Sequence, residues 1–267
     1  MLKKMGSNIR IFFEGAVLSY RALFRWLRPS TYIASKVLSP LTMMIFFVYI
    51  GEYASGSHDA SYYVIGNALI FTASSGIFGV TMSIGGERWT GTLPYLFGAP
   101  ANRMAMFVGR SLMHILDGML GVFIGLGWGV LLFNLNLSKT DPQALLLTIL
   151  ITTFSTASLG LLMGCLSLIT RNVMLVNNSV YFLLLLFSGA NLTVSTLPKW
   201  MQAVSRVIPL TRGIASTRVI VNGGSLKDVI PLLQIELLIG ILFMLTGYFM
   251  FRIFETQAKK LGTLDVF

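Results

Sequence analysis

The chain has 267 residues, of which 55% are apolar and 11% charged, with a mean hydropathy of +0.76. A soluble domain of this length carries roughly 25% charged residues, so the composition excludes an ordinary soluble globule and points to an all-α polytopic membrane protein. The net charge of +10 would suggest a nucleic-acid partner for a soluble protein; here its placement reads as membrane topology, and no nucleic acid is expected. One cysteine, Cys165, and two separated histidines, His58 and His114, form neither a disulfide framework nor a metal site.

The first thirty residues begin MLKKMGSNIR and continue as an amphipathic stretch, unlike the compact apolar core of a signal peptide. At about 100° per residue, Arg10, Glu14, Arg21, Arg25 and Arg28 fall within roughly a 60° arc. Ile9, Phe13, Ala16, Tyr20, Phe24 and Leu27 occupy another arc. This predicts an interfacial helix over 8–28 with a basic stripe toward headgroups or a partner, the alternative being a solvated start to a helix. Pro29 and Pro40 punctuate the approach to the first span.

A helix needs about 20 apolar residues to cross the hydrocarbon core. Six spans are predicted, at 32–51, 62–84, 105–133, 144–169, 173–192 and 229–251. The domain organisation follows: 1–31 as tail and interfacial helix, 32–251 as the transmembrane domain, 252–267 as a C-terminal tail. With both termini inside, the inner segments hold thirteen basic residues: Lys3, Lys4, Arg10, Arg21, Arg25, Arg28, Arg88, Arg103, Arg110, Arg171, Arg252, Lys259 and Lys260. The outer segments hold six, so both termini are expected to be cytoplasmic. Lys36 sits at the mouth of the first span.

Between the second and third spans lies GERWTGTLPYLFGAPANR, Gly86 to Arg103. Ordinary helix–helix connections run about 2–8 residues, and this one is longer and patterned. Gly91 or Thr92 can start a short helix in which Pro94 is tolerated in the first turn, and Pro100 stops it. Leu93, Leu96 and Phe97 form its apolar anchors, with Glu87, Arg88 and Arg103 around them. A short amphipathic helix of this kind is shaped to dock into a groove on another protein.

Two further connections, GEYASGSHDA and NLNLSKTDPQ, are short. The segment 193–228 is long, too polar to span, and helically patterned at Trp200, Val204, Val207 and Ile208; a second piece, 211–221, follows Pro209. Two short re-entrant helices fit, as does a surface loop. Irregular backbone at membrane depth is tolerated only where protein or a water-filled cavity covers it.

Within the spans, an ionisable residue is functional by default. Asp117 follows His114 by three residues on one helix face, with Arg110 a turn further back, so a pair between them and a structural role are both open. Glu236 either faces a cavity or pairs with Arg206, Arg212 or Arg218. Asn177 and Asn178 near the start of span five serve interhelical hydrogen bonds or line a path. Asn67, Thr72, Ser74 and Ser75 in span two carry the same two readings, and Phe71 and Phe78 fall near one face, lining an apolar cavity or simply packing. Gly121, Gly125 and Gly129, and Gly160 and Gly164, make small-residue stripes at a spacing of four.

The ordered set Glu87, Gly91-Thr92-Leu93, Leu96, Pro100 and Arg103, followed by Leu197, Pro198, Trp200, Pro209, Leu210, Thr211 and Arg218, resembles type-2 ABC exporter permeases. The resemblance implies a permease that dimerises and docks one separate ABC ATPase per copy through the loop between spans two and three. Glu87, Arg88, Thr92, Leu93, Leu96, Phe97, Pro100 and Arg103 would be the coupling element, and 196–222 the re-entrant extracellular helices. Residues Asn67, Phe71, Phe78, Asn177 and Asn178 are then candidates for the translocation path. No G-x-x-x-x-G-K-[ST] occurs in the chain, so ATP and Mg are expected on the partner subunit, with no cofactor and no catalytic residue here. The expected function is outward movement of an amphipathic small molecule, peptide or lipid-linked glycan across a cell inner or cytoplasmic membrane. A proton-coupled carrier or channel, resting on Asp117 and Glu236, is the alternative. A membrane enzyme acting on a lipid-linked substrate fits less well, because no carboxylate or histidine cluster lies near an interface.

Overall fold

The computed structural model describes residues 10, 13–15, 17, 21, 33–56, 59–89, 91–92, 95, 103–167 and 173–261. Among them there is no strand. The helices are α1 (Ala34–Ser55), α2 (Ser61–Ala73, a π turn Ser74–Gly79, then Val80–Trp89), α3 (Arg103–Phe133), α4 (Pro142–Ser167), α5 (Val173–Phe187), α6 (Lys199–Val207), α7 (Thr211–Val221) and α8 (Leu226–Leu261). Of the amphipathic N-terminal stretch, Arg10, Phe13–Gly15, Val17 and Arg21 are helical, and Arg10 pairs with Glu14 one turn on, at 2.8 Å.

Local chemistry sets the helix ends. Asp141 caps α4: its Oδ1 accepts from the Gln143 and Ala144 amides at 2.9 and 3.3 Å, and Pro142 occupies the first helical position. Asp228 reaches back over the start of α8, its carboxylate accepting from the Ser225 amide at 2.8 Å and the Ser225 hydroxyl at 2.9 Å. The left-handed Gly223, at φ +91°, ends α7 with its amide on the Ile220 carbonyl.

Among the described residues, five helices are long and apolar enough to cross a membrane: α1, α2, α3, α4 and α8. The fifth predicted span, 173–192, forms a helix only over Val173–Phe187. Fifteen residues reach about 22 Å, short of the roughly 30 Å of hydrocarbon. Its last predicted turn is instead the bend Ser188–Ala190, opened by Gly189 at φ +79°. At the other end of the chain, α8 continues ten residues past the predicted span limit of 251, to Leu261.

Helices α2 and α4 form the buried centre of the bundle. Both glycine stripes lie against α2. A Cβ on Gly121 or Gly125 of α3 would meet Phe71, one on Gly129 would meet Val64, one on Gly160 of α4 would overlap the Gly76 carbonyl, and one on Gly164 would meet Ile84. Small residues let helix backbones approach closely where lipid supplies no hydrophobic drive. Helix α8 packs along α4, with Gly240 over Ser155 and Gly247 over Leu162. Four of the hydroxyls buried in α4 return to their own helix: Thr152, Thr153, Thr156 and Ser158 bond the carbonyls four residues back at 2.7–3.0 Å. This satisfies polar atoms that would otherwise be costly away from water.

Candidate functional site

Both π turns, Ala34–Leu38 in α1 and Ser74–Gly79 in α2, line one open cavity of about 290 Å³ where α1, α2 and α3 meet. A π turn inserts a residue into the i→i+4 ladder and re-aims the side chains around it, and such turns are frequent at functional sites. Here Ser35 and Lys36 come from the first turn, and Ser74, Ser75, Phe78 and Gly79 from the second. Helix α3 adds His114, Asp117 and Gly121.

The polar centre of this cavity is an ion pair. The Lys36 ammonium donates to Asp117 Oδ2 and, at 2.9 Å, to Ser75 Oγ, while the Ser75 hydroxyl donates to the same carboxylate oxygen at 2.7 Å. The Asp117 side chain is 2% exposed and that of Lys36 22%. Three helices are therefore joined by one polar cluster. His114, one turn from Asp117, is 1% exposed and holds the Ser83 hydroxyl with Nε2 at 2.8 Å. The ring lies against Gly79, where any Cβ would overlap it.

Seven residues singled out from sequence thus meet in one place: Phe71, Ser74, Ser75, Phe78, His114, Asp117 and Gly121. Asp117 makes an ion pair with Lys36, which the sequence places only at the mouth of the first span, and the His114 ring holds the Ser83 hydroxyl. Phe78 also stacks edge-on against Tyr181 of α5, ring centroids 5.8 Å apart. The amides lie elsewhere. Asn67 donates to Asn191 Oδ1 at 2.8 Å and to the Tyr63 carbonyl at 2.9 Å. Asn177 is fully buried, with both amide atoms lacking a hydrogen-bond partner, and Asn178 is exposed.

Glu236 is fully buried. No ion pair to Arg206, Arg212 or Arg218 forms at Glu236 among the described residues. Its Oε1 accepts from Ser155 Oγ and from the Leu210 amide at 2.6 Å. Leu210 sits at φ +86° immediately before α7, a conformation that costs a non-glycine residue of order 1–3 kcal/mol. The carboxylate of α8 anchors that strained turn to α4.

The connection between α2 and α3 is described in part. Helix α2 runs through Glu87 and Arg88 to Trp89, Gly91 turns at φ +67°, Thr92 is non-helical, Tyr95 is helical and exposed, and Arg103 opens α3. Leu93, Leu96, Phe97 and Pro100, and the side chains of Glu87, Arg88 and Arg103, lie outside the described residues.

The profile of the ABC-2 type transporter family matches residues 15–222. The chain belongs to that family. The match takes in α1–α7 with both π turns and the connection after α2, and it stops short of α8. No curated protein matches the chain. As an ABC-2 type transporter permease it is a multi-pass membrane protein, and permeases of this family work in general with an ABC ATPase. Of the ABC-2 permease's cavity, sequence reasoning missed Lys36 and both π turns. The only available signals were a lysine four residues before Pro40 and a Ser-Ser-Gly interruption in α2.

Proposed function

We propose that this ABC-2 permease is the membrane half of an ATP-driven exporter, with ATP and Mg held by a separate ATPase subunit. The observation that carries the reading is the polar cavity bounded by two π turns of a family-assigned helix bundle. A cavity of this kind suits alternating access, because it joins three helices through one ion pair that relative movement would remake. Substrate then moves only if it binds the two states differently. In this reading the chain has six spans, α5 being the short one, both termini face the cytoplasm, and α6 and α7 are re-entrant at the outer face. Glu87, Arg88, Thr92, Leu93, Leu96, Phe97, Pro100 and Arg103 form the coupling element that docks on the ATPase, and two permease copies enclose the path. Phe71 and Phe78 give the path apolar walls, which favours an amphipathic cargo.

A proton-coupled carrier would draw on Asp117 and Glu236. Both carboxylates already have structural partners, Lys36 and Ser75 for one and Leu210 and Ser155 for the other, which favours the ATP-driven reading. The test is co-expression with the ATPase encoded beside the chain, extraction in mild detergent, and assay of the isolated complex. A stoichiometric complex that hydrolyses ATP, and that is lost on disruption of 92–101, is expected. A chain that purifies alone from such an expression would sink the reading.

A further inference from the structure

A second cavity, of about 420 Å³, opens where the bend after α5 meets α6, α7 and the start of α2. Three arginines reach its wall: Arg206 from α6, and Arg212 and Arg218 from α7. No aspartate or glutamate lines it. Behind the wall, Glu236 acts on Arg212, its Oε1 bonded to Leu210 and Ser155 and its Oε2 buried without a partner; three arginines against this one carboxylate leave the wall a surplus of positive charge.

Three donor atoms on this wall are buried without an acceptor: Thr211 Oγ1, Arg212 Nη1 and Arg218 Nε. An unsatisfied buried donor costs about 1–3 kcal/mol, more where the group is charged. Native structures leave few such groups, and each asks for a partner. All three atoms can donate and their residues line one cavity, so an acceptor bound there is the partner they ask for. Arg218 is held in place for the task. Its Nη2 donates to the carbonyls of Tyr62 and Ala190 at 3.0 and 3.1 Å, and its guanidinium lies 3.5 Å from the centre of the Tyr62 ring. Thr211 begins α7, so the positive end of that helix adds to the field. The rest of the wall mixes the hydroxyls of Ser188, Thr193, Ser195 and Ser205 with apolar surface from Val194, Ala215 and Leu232. Beside it, Trp200, Val204 and Val207 of α6 are exposed.

We propose that this cavity binds a phosphate-type anion carried on an apolar body. The guanidinium forks of Arg212 and Arg218 take the phosphate oxygens, the Thr211 hydroxyl completes the shell, and the apolar part of the wall takes the tail. A phospholipid of the bilayer and a phosphate-bearing amphiphile passing through the permease present this same chemistry. The site rests on the geometry of this cavity and does not require the ATP-driven reading.

The test uses the full-length chain in a neutral detergent, with thermal midpoint and binding measured against added phosphatidylglycerol, phosphatidylcholine and inorganic pyrophosphate. Phosphatidylglycerol is expected to bind and raise the midpoint, and Arg212→Gln and Arg206→Gln each to weaken it, the former about tenfold. Lys199→Gln and Lys227→Gln, which remove cations outside the cavity, leave binding unchanged. Pyrophosphate binding lost in the same two arginine variants, without phosphatidylglycerol binding, would also support the site and assign it to a soluble or exported phosphate. Arg206→Gln leaves the contacts of Arg218 intact, so it serves as the second variant should Arg212→Gln fail to fold. Equal binding of phosphatidylglycerol and phosphatidylcholine, or equal losses in the lysine and arginine variants, would overturn the proposal and leave the three donors to water.

Discussion

The Lys36 ammonium and the Asp117 carboxylate, 81 residues apart, meet inside the bundle with the Ser75 hydroxyl between them. The contact ties α1 to α3 through the π turn of α2. A buried charge left without its partner is far more costly than the pair is stabilising. Lys36→Met is therefore expected to destabilise the protein by roughly 3–5 kcal/mol. The double change Lys36→Met with Asp117→Leu should regain most of that loss. Thermal midpoints of the four proteins in one detergent form the cycle. Additive losses would show that the two residues act independently.

Glu236 serves as a backbone cap on this geometry. Glu236→Gln retains an oxygen for the Leu210 amide and the Ser155 hydroxyl, so it is expected to keep stability within about 1 kcal/mol. Glu236→Leu leaves the Leu210 amide buried without an acceptor and should cost about 1–3 kcal/mol. Transport measured beside stability separates the roles. A Gln variant that folds normally but no longer transports would make the carboxylate itself functional.

The glycine stripes predict a position-specific tolerance. A Cβ at Gly160 would overlap the Gly76 carbonyl, whereas one at Gly127 meets nothing within 4 Å. Gly160→Val should force α4 and α2 apart and cost about 1–3 kcal/mol or more. Gly127→Ala should stay within about 0.5 kcal/mol of the parent. Expression level and midpoint in detergent report both, and equal effects would remove the close-packing account.

Coupling is the subject of the fourth expectation. Leu96→Asp places a charge on the apolar anchor of the segment between α2 and α3, and Glu87→Ala removes the carboxylate at the end of α2. Membrane insertion should be unaffected, while transport driven by the partner ATPase should fall at least about tenfold, a loss of ~1.4 kcal/mol in coupling. Protein level in the membrane and transport are measured together. Unchanged transport in the double variant would place the docking surface elsewhere.

Much of the architecture was legible because hydropathy and end signals are local. Asp141 before Pro142, Ser225 three residues before Asp228, and the apolar runs between them mark helices wherever the chain is placed. The fifth span was overextended because the apolar run through Leu192 continues past Phe187, where Gly189 turns the backbone. Hydropathy reads composition and does not see that bend. Helix α8 runs ten residues beyond the expected span limit of 251, because polar residues there continue a helix that has left the apolar region.

The sequence by itself determined the membrane class, the positions of the long helices, and the stripes of small residues along α3 and α4. Each of these depends on the residue's own chemistry and its neighbours within a turn or two. Only the tertiary structure decided what those elements face: that Lys36 answers Asp117, that both π turns open onto one cavity, and that Arg206, Arg212 and Arg218 converge beside the bend after α5. Those facts depend on the rotation of each helix about its axis, and one inserted residue in a π turn advances that rotation by about 100°. No local pattern carries that rotation across the 81 residues from Lys36 to Asp117; packing around α2 and α4 sets it.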